Sequence, residues 1–456
     1  MAGGPGVLAG IDVGTTNCKV SVYPPGGPAI ATRRRPTPPG AAELVAGVLD
    51  DLRTCLDGRR PLAVGVTGVA EGGVPLDAGL RPAGPLIWWH DRRAEDAARR
   101  LADEVGRAEL FRRTGVDVAA KTPLALWCWH ADLTRMRAWV GVPELVATAL
   151  CGEPLTDRTL AGRSGAFDQR AGSWADDLLA LAGIRADQLP DPRGIGSARH
   201  VLPTGTPVVV AGHDHLVAAY AAGAREPGEV ADSLGTAEAV VMLASSPPSE
   251  DAAGTGVSWN RTADGRHWAL VSGFPASGRL VEWLRARCAG DYDTLDALTG
   301  AVGKPTGLVV LPYLAGRAAP APDPGRGLSI RGLTARHRFA DVAAGVLEGA
   351  CFHARWMAER QARHTGTELG PVTVLGGPAR GRTWMNVKAH VLPGPVRRLR
   401  TVDAACAGAA GLAGRAIGLP APAAGSEELP RDDVLAGRYE AVYRDFLSHA
   451  RGVAAA

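Results

Sequence analysis

Apolar and polar positions change period several times along the chain, and each change marks an element. Leu8–Tyr23 reads L-A-G-I-D-V-G-T-T-N-C-K-V-S-V-Y, two strand-like runs around Gly14-Thr15-Thr16-Asn17, which predicts a β-hairpin. Ala41–Leu56 has helical periodicity, and Pro61–Gly68 is a strand that ends in V-A-E-G-G. Helical patterns follow over Arg93–Arg113, Pro123–Trp139 and Pro143–Leu150, the last stopping at Cys151-Gly152. A Pro/Gly/Asp-rich connection, Leu189–Thr206, leads to V-V-V-A-G-H-D-H-L-V-A-A at Val208–Ala219. That stretch predicts a strand running through a small-residue turn into a helix.

The second half repeats the opening in outline. Val230–Met242 sets Asp232-x-x-Gly235-Thr236 against Asp12-x-Gly14-Thr15, each followed by a β-rich run. A weak repeat at this separation suggests two similar domains, each opening with a hairpin. Helices are expected at Gly278–Ala289, Asp341–Arg363 (which holds Glu348), Thr383–Leu392, Thr401–Ile417 and Asp432–Ala450. Gly307–Leu314 is a strand-like run before a Pro/Gly/Ala loop, Ala315–Gly327. Val372–Leu375 runs into Gly376-Gly377-Pro378-Ala379-Arg380, and a glycine pair between strand and helix lets a nucleotide approach the backbone. Strand-like and helical patterns thus occur in both halves of the chain.

Composition narrows the partners. The chain has 456 residues, room for two or three domains with proper cores. It is 46% hydrophobic and 21% charged, with a net charge of +3 and arginines dispersed rather than striped. Neither nucleic acid nor a membrane is therefore expected as a partner. The start lacks the basic and apolar regions of a signal peptide, and no apolar run is long enough to span a bilayer, so a cytoplasmic protein is expected. Seven scattered cysteines without C-x-x-C suggest neither a zinc site nor a disulfide framework. Oligomeric state stays open, a homodimer being the assembly to test for.

Candidate chemistry sits at the turns. In a strand–turn–helix unit the carboxyl end of the strand faces a ligand crevice, and Asp214 stands there with a histidine on either side. A helix N-cap aspartate accounts for the same position. The Gly14–Asn17 turn offers close backbone approach, two hydroxyls and exposed amides, with Lys19 just beyond, a set of donors that suits phosphate oxygens. Asp12 at the strand end suits magnesium, which prefers oxygen ligands; an ordinary hairpin explains the same residues. Glu71 could bind a hydroxyl-bearing substrate or lie in solvent. Trp88 and Trp89, with Asp91 and two arginines in L-I-W-W-H-D-R-R, could stack on a sugar or serve as core.

Four stretches in one order carry a resemblance: the D-V-G-T-T hairpin, G-H-D-H, S-L-G-T-A-E, and strand–G-G-x-A–helix. Together they resemble the FGGY family of carbohydrate kinases, within the sugar kinase/actin/Hsp70 superfamily, xylulokinase- and gluconokinase-like. The segment ending C-G-E-P-L-T-D at Asp157, the L-P-Y-L-A-G loop from Leu311 and the Asp341–Phe352 helix add further similarity, so that it runs from about Leu8 to Ile417. The resemblance implies an α/β fold class, with two ribonuclease-H-like, actin-like ATPase domains, roughly residues 1–222 and 223–456, and a ligand cleft between them. The first would bind sugar and carry the catalytic base; the second would bind ATP.

By the same resemblance Asp214 matches the catalytic base. Thr15, Thr16, Asn17, Lys19, Gly235 and Thr236 match ATP-phosphate contacts, and Gly278, Gly376, Gly377 and Gly381 the adenosine pocket. Glu71, Trp89, Asp91, Asp214 and His215 match the acceptor side, and Asp12 with Asp214 the Mg²⁺ site. The chain departs from the family at Arg317-Ala318-Ala319-Pro320, at Pro378, and at Ala70, where glycerol kinases have an arginine. Lys121 is displaced from the family's K-L-x-W pattern and reads as a solvated lysine. The implied reaction is ATP-dependent phosphorylation of a sugar, polyol or related acceptor, cyclitols included. Two other readings compete: a non-catalytic nucleotide- or sugar-binding member, and a metal-dependent hydrolase using His213-Asp214-His215.

Overall fold

The structure, a computed structural model, describes residues 6–130, 136–193, 200–201, 205–288, 290–401 and 403–452. The chain forms two compact units. The first comprises Met1–Ala221 with two later segments, Ser258–Ala269 and Asp403–Ala424; the second comprises Ala222–Val257, Leu270–Val402 and Gly425–Ala456. Two segments from beyond residue 222 thus pack with the first unit.

Strands β1 (Val7–Val13), β2 (Asn17–Tyr23) and β3 (Ala31–Pro36) form an antiparallel meander, and helix α1 (Ala41–Leu56) leads to β4 (Pro61–Gly68), parallel to β1. Further along the chain are helix α2 (Val142–Cys151), the short β5 (His200–Val201) and β6 (Pro207–His213), which lies beside β4 and runs directly into α3 (Asp214–Ala221). The sheet order is β5-β6-β4-β1-β2-β3. Every residue of β1 is buried, which explains an apolar run that only Asp12 interrupts. One face packs Leu44, Val48 and Leu52 of α1 with Leu145 and Val146 of α2.

In the second unit β7 (Val230–Leu234) and β8 (Glu238–Ala244) form the second hairpin. Further elements are β9 (Val257–Arg261) and β10 (Trp268–Phe274), of which Ser258–Ala269 belongs to the first unit, then α4 (Ser277–Cys288), α5 (Phe339–Thr365), β11 (Val372–Leu375), α6 (Arg382–Val391) and β12 (Val396–Leu399). After α7 (Ala404–Ala416), which belongs to the first unit, come β13 (Ser426–Glu428) and α8 (Asp433–Arg451). The strand order is β9-β10-β8-β7-β11-β12-β13, and the core combines Val240, Met242, Phe352, Trp384 and Phe446.

Helix α7 covers the other face of the first sheet, and its Ala/Gly composition is a packing requirement. A Cβ at Gly10 or Gly65 would lie 2.0 Å from the Cys406 or Ala409 carbonyl oxygen. Helix backbone therefore rests directly on strand backbone, and larger side chains would push it away.

Two helix expectations change. Pro123–Trp139 is helical only over Pro123–Trp129; residues 131–135 lie outside the described residues, and Ala138–Val140 is a strand paired with Val74–Leu76. Aromatic and β-branched residues there satisfy a non-local pairing that the local helical spacing did not reveal. Arg93–Arg113 is Glu95–Leu101, a π-helical turn Ala102–Gly106, and Arg107–Thr114, broken where Gly106 takes φ +89°. Part of the Leu189–Thr206 connection likewise lies outside the described residues.

Candidate functional site

Three parallel strands of the first unit end in one row. Val13 of β1 stands opposite Gly68 of β4, and Gly68 opposite His213 of β6. Gly14–Asn17, Glu71 and Asp214 follow those three ends, so strand register alone gathers them at the carboxyl edge of the sheet.

At β1–β2, Gly14 N–H donates to the Asn17 carbonyl (3.2 Å), and Thr15 and Thr16 are exposed at the tip. Asp12 pairs across the hairpin with Lys19, whose ammonium lies 3.7 Å from Asp12 Oδ2 and 3.1 Å from Asp403 Oδ1. Burial raises the Asp12 carboxyl to about 7; Lys19 pulls it back, while Asp214 and Asp403 push in the same direction as burial. Burial opposes the Lys19 charge, but Asp12 and Asp403 raise it above the ordinary lysine value. Asp12 Oδ1 is buried without a hydrogen-bond partner. Trp89 donates its indole N–H to Thr15 Oγ1 (2.8 Å), tying its own segment to the turn. Asp91 is engaged locally, its carboxylate held below the usual range by Arg93 at 2.6 Å.

Asp214 begins α3, and its Oδ1 accepts from the His215 backbone N–H at 2.7 Å. His213 Nε2 lies 3.3 Å and His215 Nδ1 3.9 Å from the same oxygen. Burial pushes the His213 ring down to about 3, which makes it a weak base at neutral pH. Among the described residues these three consecutive side chains are the only group arranged to share a metal ion, all within 4.8 Å of one another. No ligand from another element joins them, as a metal-dependent hydrolase would require.

The elbow before Asp214 is tightly built. Gly212 has φ +118°, and a Cβ there would lie 2.3 Å from Thr159 Oγ1. That hydroxyl accepts from His213 N (2.8 Å) and donates to Asp157 Oδ1 (2.9 Å), while Thr67 Oγ1 donates to the Gly212 carbonyl (2.6 Å). Asn260 donates to the Thr159 carbonyl (2.7 Å). Gly212→Ala is expected to move the loop and lower kcat by about 10-fold or more, since ångström-scale misplacement is costly. Steady-state kinetics would test it: an unchanged kcat would show that the elbow does not set the position of Asp214.

Glu71 has the left-handed φ +69°. Its carboxylate binds Lys121 Nζ (2.7 Å) and Arg163 Nη2. Lys121 is thus an ion-pair partner with its side chain 38% exposed, rather than a solvated lysine. Burial alone would raise the Glu71 carboxyl; Arg163 and then Lys121 outweigh it and bring the group down to about 2. A lowered folded-state value contributes stability above the ordinary 4.5 that is lost as pH falls toward 2. Wild type should therefore out-melt Glu71→Gln at pH 7, with the gap closing between pH 4.5 and about 2; a gap unchanged at pH 2.5 would contradict the pairing.

In the second unit three glycine-bearing segments meet at one hairpin. Gly235 and Thr236 are exposed at its tip. Gly278 N–H, at the start of α4, donates to the Gly235 carbonyl (3.0 Å), and a Cβ at Gly278 would come 2.3 Å from that oxygen. Gly376 has φ +100° and leaves no room for a Cβ beside the Leu234 carbonyl, 2.0 Å away. Gly377 opens a short 3₁₀ turn, Gly377–Arg380, and Gly381 caps α6.

Beneath the tip, Lys388 of α6 donates to Asp232 Oδ2 (2.5 Å) and Glu238 Oε1 (2.7 Å), with all three side chains buried. Arg317, where the chain departs from the family pattern, is also structural. It donates to the Ala321 and Ala450 carbonyls and faces Tyr313 and Trp356.

Sequence reading missed Asp157, Thr159, Arg163, Glu238, Lys388 and Asp403. Asp157 and Glu238 lie inside motifs that were noticed. The others come from distant segments and carry no local signal.

Comparison with known proteins follows this geometry. Models of the N-terminal and C-terminal domains of the FGGY family of carbohydrate kinases match residues 7–221 and 230–417. The chain is 30% identical over 446 residues to a glycerol kinase of Gloeobacter violaceus, covering 91% of this chain and 88% of that protein. It is 23% identical over 449 residues to a gluconokinase of Bacillus subtilis, covering 88% and 86%. Among solved structures, xylulose kinase from Rhodospirillum rubrum has the same fold: TM-score 0.86, 24% identity, 98% of this chain and 99% of that one. No helix among the described residues is long and apolar enough to cross a membrane.

Proposed function

Because the chain belongs to the FGGY family of carbohydrate kinases, we propose that Asp214 is the general base that deprotonates an acceptor hydroxyl as it attacks the γ-phosphorus of ATP. The protein is an ATP-dependent phosphotransferase acting on an alcohol group of a small molecule. The observation that carries the residue roles is the shared carboxyl edge of the first sheet, where Asp12 stands near the end of β1, the Gly14–Asn17 turn follows it, and Asp214 follows β6 on the other side of β4.

In the first unit Thr15, Thr16, Asn17 and Lys19 offer donors suited to phosphate oxygens, and in the second unit Gly235 and Thr236 do so at the tip of its own hairpin. Gly278, Gly376, Gly377 and Gly381 receive the adenosine; at Gly377 nothing stands within 4 Å of where a Cβ would be, which supports close approach of a nucleotide to the backbone there. Trp89, Asp91 and His215 orient the acceptor, and Glu71 takes part through Lys121 and Arg163, the cations it holds. The first unit therefore carries acceptor and base, and the second the nucleotide. Phosphoryl transfer needs alignment, charge neutralisation and a base, and these groups supply them.

Asp12 Oδ1, buried and unpartnered, and the raised Asp12 carboxyl fit an oxygen-seeking divalent cation, so Asp12 and Asp214 would hold Mg²⁺. When bound, it would neutralise phosphate charge. The cytoplasm is the proposed compartment. Coupled ADP-release screening against sugars, polyols and cyclitols tests the function; no acceptor-dependent release across the whole panel would overturn it.

A further inference from the structure

Glu71 is not a free substrate ligand. It is gripped by two cations from separate segments, Arg163 and Lys121. Arg163 lies in the stretch that also carries Asp157 and Thr159, so one segment anchors both Glu71 and the His213 backbone. Within this cluster two polar atoms are buried without a hydrogen-bond partner, Arg163 Nε and His213 Nδ1. The groups are close enough for Arg163 and Glu71 both to act on the His213 ring. Buried polar atoms are nearly always paired in folded proteins, so two unpaired ones in one cluster call for a ligand.

We propose that Arg163 and Lys121, assembled on Glu71, form the acceptor-recognition side of the site, and that they select a neutral polyhydroxy acceptor over an aldonate. The proposal rests on the kinase reading of the same site. Arg163 Nε–H donates to one acceptor oxygen, and His213 Nδ1 meets a second hydroxyl. Lys121, held at Glu71 by one of its three donors, has others to offer along the carbon chain. Charge decides the class. The carboxylates of Glu71 and Asp214 balance the two cations, so no cation is left to pair with an acceptor carboxylate. An aldonate would also meet two like charges in a partly desolvated site. Ala70 offers no charge of its own, and Arg163 brings the guanidinium to Glu71 from elsewhere in the chain.

The test is acceptor-dependent ADP release by the full-length protein with three- to six-carbon polyols, ketoses and aldonates. The best acceptor is expected to be neutral, with kcat/KM at least about 10-fold above the aldonate of equal length. Losing a charged hydrogen bond costs roughly 1.5–3 kcal/mol, so Arg163→Gln should raise KM for that acceptor about 10- to 150-fold. KM for ATP should stay within about 2-fold, and Arg163→Lys should recover part of the loss. Lys121→Met, at a part-exposed position, carries the test if Arg163→Gln fails to fold, with an expected rise of about 10-fold. An aldonate as best acceptor, or variants whose acceptor KM is unchanged, would overturn the proposal. If wild type phosphorylates nothing in the panel, the kinase reading fails instead.

Discussion

Asp214→Asn is expected to lower kcat by about 10²- to 10⁴-fold, the usual contribution of a positioned base, while ATP still binds. The substitution keeps the size of the side chain and can still accept from His215 N–H, so the start of α3 should hold. What it removes is the carboxylate that takes the acceptor proton. His213 offers no substitute, because burial has driven its ring down to about 3. His215 is held beside the same oxygen at 3.9 Å. Coupled ADP release with the best acceptor gives kcat, and calorimetric titration gives ATP affinity. Turnover near wild type in Asp214→Asn would remove this residue from the role, whatever the acceptor proves to be.

Lys388→Met should destabilise the second unit by about 3–5 kcal/mol, the typical penalty for removing one partner of a buried ion pair. Its ammonium bridges Asp232 on β7 and Glu238 on β8, so without it two carboxyl groups would share a dry site alone. Burial first, and then the like charge of Asp232, raise Glu238 above the ordinary carboxyl range against the pull of Lys388, which favours its neutral form. Glu238→Gln should therefore cost much less than Lys388→Met. The same bridge joins both strands of the Gly235–Thr236 hairpin to α6, which follows the glycine loop, so a folded Lys388→Met should also show a raised KM for ATP. Urea unfolding followed by tryptophan fluorescence would check the stability. Equal midpoints for wild type and Lys388→Met would mean the triad contributes nothing net.

The sequence by itself determined the local devices. Alternating β-branched residues around Gly-Thr turns defined both hairpins, and V-V-V-A-G-H-D placed Asp214 where β6 becomes α3. Gly376 marked the loop before α6, because a turn that takes a positive φ and admits no Cβ must be written into the sequence at that point. Only the tertiary structure decided which charges meet. Arg163 and Lys121 reach Glu71, Asp403 reaches Lys19, and Lys388 reaches Asp232, the last across 156 residues of chain. It also decided that Ser258–Ala269 and Asp403–Ala424 pack with the first unit. The physical reason is one of range. Backbone conformation is chosen by a residue and its immediate neighbours, whereas an ion pair depends on distance in space, and residue spacing along the chain does not encode that distance.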